Sequence, residues 1–129
     1  MTLYWPGKGS ANTVATVEAA ISRAKELGIE DVVVASCSGE TASRFLGTGL
    51  NIVCVTHQVG FEAPGVDEMS PEVRERLSRA GVKLLTTTHL MAGLDRALRF
   101  KFGGLYPAEL IANTLRLFGQ GLKVCVEVS

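Results

Sequence analysis

Both histidines of this chain, His57 and His89, sit directly after short β-branched runs, each beside threonine. Thr56-His57-Gln58 closes one run and Thr86-Thr87-Thr88-His89 closes another. A third run ends in Ser36-Cys37-Ser38-Gly39-Glu40-Thr41. Imidazoles in such company can act as acid/base groups or as polar rim residues. With no third ligand at an interpretable spacing, no metal site is expected. Ser38-Gly39-Glu40-Thr41-Ala42 has the makings of an anion cradle. A turn that leaves a strand and opens a helix aims successive backbone N–H groups at one point, and the helix dipole adds to them. Gly39 would allow close approach, and Ser36, Ser38 and Thr41 offer hydroxyls. The plainer alternative is an ordinary strand-to-helix turn with a capping serine. Cys37 sits beside the same helix start, which can lower a thiol pKa, although a buried structural cysteine reads as well.

Other segments carry less. Gly7-Lys8-Gly9-Ser10 lacks both the spacing and the preceding strand of a phosphate-binding P-loop. Arg96, Arg99 and Lys101 form a basic cluster with Phe100, Phe102 and Tyr106 interleaved. That pattern suits a solvated helix face, or a second contact to an anionic ligand with rings stacked on it. Cys37, Cys54 and Cys125 match no zinc spacing and cannot all pair, which is expected of reduced, buried thiols in a cytoplasmic protein.

The elements that must hold these residues alternate. Asn12 or Thr13 caps a helix whose apolar positions are Val14, Val17, Ile21 and Ala24, with Gly28 as the stop. Val32–Ala35 reads as a strand covered on both faces, Ile52–Thr56 as a second buried strand and Val82–Thr86 as a third strand. A short helix follows Gly39 and ends near Gly47 and Gly49. Residues 57–69 read as a loop, and Ser70-Pro71-Glu72 opens a helix that runs to Gly81. Leu90, Leu94 and Leu98 suggest a further helix, ended by Gly103-Gly104, and Pro107 opens another. Lys123-Val124-Cys125-Val126-Glu127-Val128 alternates like a half-exposed strand. Joints this short imply a mainly parallel sheet with right-handed crossovers. In such sheets ligands bind beyond the carboxyl ends of the strands, where Ser36 to Ala42, Thr56, His57, Thr87, Thr88 and His89 all fall.

Length and composition agree. The chain has 129 residues, 47% hydrophobic and 20% charged, which suits one packed α/β domain over 1–129. Thirteen basic residues balance thirteen acidic ones, so nucleic acid is not an expected partner. No apolar run approaches the ~20 residues that span a bilayer, and the first residues lack the apolar core of a secretion signal.

Several segments resemble the C-terminal domain of pyruvate kinases. They are Ala19-Ala20, Arg23 to Gly28, Val32 to Ala35, and the Ser38 to Ala42 turn. Further segments resemble the small stand-alone prokaryotic proteins with that fold. These are Asn12-Thr13, Val55-Thr56-His57, Gly60-Phe61, His89, Lys101 to Gly104, and Gly119 to Glu127. The resemblance implies a three-layer α/β/α domain with a mainly parallel sheet. In pyruvate kinases this domain is regulatory and its Ser-Gly-x-Thr/Ser-Ala turn grips an effector's phosphate. By position that role would fall on Ser36, Ser38, Gly39, the Glu40 backbone, Thr41 and Ala42. Kinase activity is not implied, because the kinase site lies in a barrel domain. The implied ligand is a nucleotide, flavin mononucleotide (FMN) or sugar phosphate. The alternatives are a flavin-dependent enzyme using His57 or His89, and a ligand-free packing subunit. Members of the stand-alone group continue past the matching Val-Cys-Val-Glu segment through a helix, a strand and a second Gly-rich turn. The resemblance thus implies a C-terminal truncation, with Lys123–Val128 opening a helix. It also implies an open sheet edge, which a homo-oligomer would cover.

Overall fold

The computed structural model describes residues 2–91 and 93–129, apart from the side chain of Leu94. After a single turn of 3-10 helix at Ser10–Asn12, α1 spans Thr13–Leu27. It ends at Gly28, whose φ of +64° lets its N–H reach the carbonyls of Ala24 and Lys25. Asn12 precedes α1 but does not cap it, since its side chain donates to Gly7 O at 2.6 Å instead. The strands are β1 (Asp31–Ala35), β2 (Asn51–Thr56) and β3 (Lys83–Thr86). Between them lie α2 (Glu40–Ser43) and α3 (Pro71–Arg79). The α3 start is the one expected, with Pro71 in the first turn and Ser70 Oγ accepting from Val73 N–H at 3.3 Å. The remaining helices are α4 (Gly93–Phe102), α5 (Pro107–Arg116) and α6 (Gln120–Val128).

All three strands are parallel, in the order β1-β2-β3. Ala35 is level with Val55, and Thr56 with Thr86. Paired residues share a face, and the two faces differ. Val32, Val34, Ile52, Cys54 and Leu84 join one core with Val17 of α1, Ala42 of α2, Phe45 after it, Met69, and Leu77 of α3. The opposite face is incompletely covered, since Val33 remains 44% exposed and Leu85 51% exposed. β1 is therefore not shielded on both sides as its apolar run suggests, whereas the central β2 is, with Val55 8% exposed on this face. A β-branched run records β-propensity, whereas its cover depends on which helices lie above it.

That second face meets α6, which packs against β1. Of the two readings of Lys123–Val128, a half-exposed strand from its alternation and the opening of a helix from the resemblance, the structure has the helix. Its alternating polar and apolar residues imitate a period of two. In the helix, Val124 and Val128 stand four apart along one row of the wall that faces β1 and β2. Lys123 and Glu127, also four apart, are both buried and form an ion pair. Tertiary contacts thus override a short local pattern. The C-terminal helices also leave Phe100, Phe102, Leu110, Ile111, Leu117 and Phe118 exposed. Among the described helices none is long and apolar enough to cross a membrane.

Candidate functional site

The carboxyl ends of β1, β2 and β3 open into a cavity of about 510 Å³. Its floor is Ala35, Cys37, Val55, Thr56 and His57, and one wall is Thr87, Thr88 and His89. Arg96 of α4 and Arg116 of α5 reach it, and α6 supplies Gln120, Lys123, Val124, Glu127 and Val128. It continues into a neighbouring recess of about 310 Å³ bounded by Gln58, Phe61, Ala97 and Phe100. The register explains the meeting: extending the Ala35–Val55 and Thr56–Thr86 pairing places Cys37, His57 and Thr87 side by side.

Six residues expected from the sequence therefore come together: Cys37, Thr56, His57, Thr87, Thr88 and His89. Ser36, Ser38, Gly39, Glu40, Thr41 and Ala42 do not line the cavity. Two amides of their turn are met by its own serine hydroxyls. Ser36 Oγ accepts from Ala42 N–H and Ser38 Oγ accepts from Glu40 N–H, both at 3.4 Å. Gly39 has a packing role. A Cβ there would meet Val73 Cγ1 at 2.7 Å and Leu77 Cδ1 at 2.9 Å, so the missing side chain makes room for α3. Thr56 is likewise occupied, donating to Thr86 Oγ1 at 2.8 Å. The basic cluster separates. Arg99 pairs with Glu109 at 3.3 Å and Lys101 lies over Phe102, while Arg96 alone enters the cavity. Phe100 and Phe102 are exposed rather than core.

Each histidine is held by a carboxylate. His57 Nδ1 lies 2.5 Å from Glu68 Oε2, and Phe61 stacks on the ring at 4.0 Å between centroids. His89 Nδ1 lies 2.5 Å from Glu127 Oε2. The two rings are 5.9 Å apart. A lysine ammonium can only donate, so Lys123, at 3.3 Å from His89 Nδ1, serves Glu127 while Nδ1–H donates to the same carboxylate. Nε2 of each ring then remains for whatever enters the cavity. Glu127 also accepts from Met91 N–H at 3.3 Å. Burial pushes the Glu127 carboxyl up, but hydrogen bonds from Lys123 and His89, and attraction to both, hold it below the ordinary 4.5. Cys37 runs the other way: burial dominates and raises its thiol above 9.0, so the helix start does not activate it. Cys125, expected to be buried, is exposed.

Glu68, Arg116, Lys123 and Glu127 were not expected here. Nothing marks Glu68 in its loop, and the strand-like alternation around Lys123 and Glu127 hid their spacing of four.

With the parallel sheet and its polar strand ends in place, a family comparison decides the lineage. The model of the "Pyruvate kinase, alpha/beta domain" family matches residues 14–129. The chain belongs to that family. Every residue of the cavity lies inside the matched span, so this site is part of the pyruvate kinase alpha/beta domain itself and not of an appended segment. The resemblance read from the segments between Ala19 and Glu127 is thereby established, and the α/β class with it.

Proposed function

We infer that the protein binds a phosphorylated small molecule in the cavity at the carboxyl ends of β1–β3. The carrying observation is Arg96. Among the described residues its guanidinium has no ion-pair partner, and it stands in the cavity wall with Thr87, Thr88 and both histidines. Arg116 adds positive charge, while Lys123 and Glu127, the one carboxylate among the described lining residues, offset each other. A guanidinium can bind phosphate through two parallel hydrogen bonds. The volume lies within the roughly 300–1,000 Å³ usual for small-molecule sites.

Magnitudes shape the ligand. Three charge-assisted bonds at about 1.5–3 kcal/mol each give roughly 5–9 kcal/mol. Association costs at least about 4 kcal/mol, which leaves inorganic phosphate binding at about millimolar or weaker. Useful affinity needs a second moiety against Val55, Phe61, Val124 and Val128. That favours a nucleotide, FMN or a sugar phosphate over phosphate alone.

Calorimetric titration with inorganic phosphate, sugar phosphates and FMN tests this. Wild type should bind an organic phosphate more tightly than phosphate, and Arg96→Ala should weaken it about 10- to 100-fold. Thr41→Ala should bind normally. A loss confined to Thr41→Ala would move the phosphate to the Ser38–Ala42 turn, and no binding by wild type would defeat the reading.

The two carboxylate–histidine pairs favour a second reading, an enzyme that moves a proton on its bound ligand. Deuterium should then enter a carbon of the ligand in heavy water, and His89→Gln should stop it. Exchange at the same rate in that variant would exclude His89 as the base.

A further inference from the structure

We propose that Cys37, His57 and Glu68 form a three-ligand site for a zinc-class divalent cation at the rim of the cavity. Sγ of Cys37, a ring nitrogen of His57 and a carboxylate oxygen of Glu68 all lie within 4.8 Å of one another, and all three residues are half-buried. They come from three separate segments: the turn after β1, the first residue after β2, and the loop before α3.

Each donor is held from behind. The ladder continues past β1, with Ser36 N–H donating to Val55 O at 2.9 Å, which sets Cys37 beside His57. Phe61 stacks on the imidazole. Glu68 is pinned on both sides. Asp67 accepts from Met69 N–H at 3.0 Å and from Arg74 at 2.7 Å, and the Met69 side chain is buried in the core. Preorganisation of this kind lowers the ordering needed on binding.

The donor types select the cation. A thiolate, an imidazole and one carboxylate suit zinc, whereas magnesium and calcium take oxygen ligands. Tetrahedral bonds of about 2.0–2.3 Å place donors roughly 3.3–3.6 Å apart. His57 and Glu68 stand 2.5 Å apart and no pair of donors is more than 4.8 Å apart, so shifts of about 1 Å would seat the ion. The ion would displace the Cys37 thiol proton to solvent, while the proton between His57 and Glu68 moves to the ring nitrogen that does not bind the metal, so the imidazole stays neutral. Thiolate and carboxylate together neutralise the dication. Cys37 and His57 line the cavity, so the fourth position opens towards it. The inference stands independently of the phosphorylated ligand.

Cobalt(II), added to chelator-treated full-length protein, is the probe. One equivalent should produce tetrahedral d–d bands with a sulfur-to-metal charge-transfer band, and zinc(II) should displace it. Cys37→Ser should abolish the charge-transfer band and weaken zinc binding at least about 100-fold. Glu68→Gln should weaken zinc binding while keeping the band. Cys125→Ser, on the surface, should change neither. Should Cys37→Ser fail to fold, alkylation of wild type settles the matter: zinc should protect Cys37, and not Cys125, from iodoacetamide. No charge-transfer band at saturating cobalt, a band that survives Cys37→Ser, or an unprotected Cys37 would overturn the proposal.

Discussion

Lys123→Met is expected to lose about 3–5 kcal/mol of unfolding free energy at neutral pH. Lys123 is 1% exposed and the side chain of Glu127 is fully buried. Removing the lysine leaves a buried carboxylate whose partners among the described residues are His89 and the Met91 N–H. The loss reflects the stranded charge more than the strength of the pair, because desolvating both ions offsets much of their attraction. Lys123→Met combined with Glu127→Gln, which removes both charges, should therefore cost clearly less than the single change. The sign with pH follows from Glu127. Its folded pKa lies below the ordinary 4.5, so its stabilisation is complete above that value and is lost as pH falls through the folded pKa. The gap between wild type and Lys123→Met should be widest near neutrality and close in acid. Urea midpoints across the acid range measure it, and a gap that ignores pH would reject an electrostatic origin.

Gly39→Ala should cost about 2–5 kcal/mol, and Gly39→Val more. Two effects add. The φ of +81° is left-handed, which costs a residue with a Cβ about 1–2 kcal/mol. The new Cβ would also press on Val73 and Leu77, and overpacking costs about 1–3 kcal/mol. In a Val73→Ala background the second part should ease and the first remain. Affinity for the organic phosphate should not change in the folded protein, since the position faces α3 and not the cavity. Unaltered stability with lost binding would return Gly39 to the role of a ligand cradle.

Much of the scaffold was legible in the residues. Val32–Ala35, Ile52–Thr56 and Val82–Thr86 lie within a residue of the observed strands, and their parallel order follows from the helices between them. Gly28, Pro71 and Pro107 mark helix ends for local reasons: left-handed backbone at a C-terminus, and a fixed φ with no N–H to lose at an N-terminus. The gathering of both histidines with Thr87 and Thr88 was equally predictable, because parallel strands deliver their carboxyl ends to one edge.

What lay beyond the sequence depended on contacts distant along the chain. Gly39 resembles a phosphate-gripping glycine, and its packing role is set by Val73 and Leu77, more than thirty positions away. Glu68 is one carboxylate among thirteen acidic residues, and only the ladder of β1 on β2 brings it a thiol and an imidazole. Lys123 and Glu127 sit in a run that alternates as a strand would. Local pattern states how apolar residues recur, but not which charges can face inward. That depends on the partners tertiary folding supplies, here the two charges for each other and His89 for Glu127.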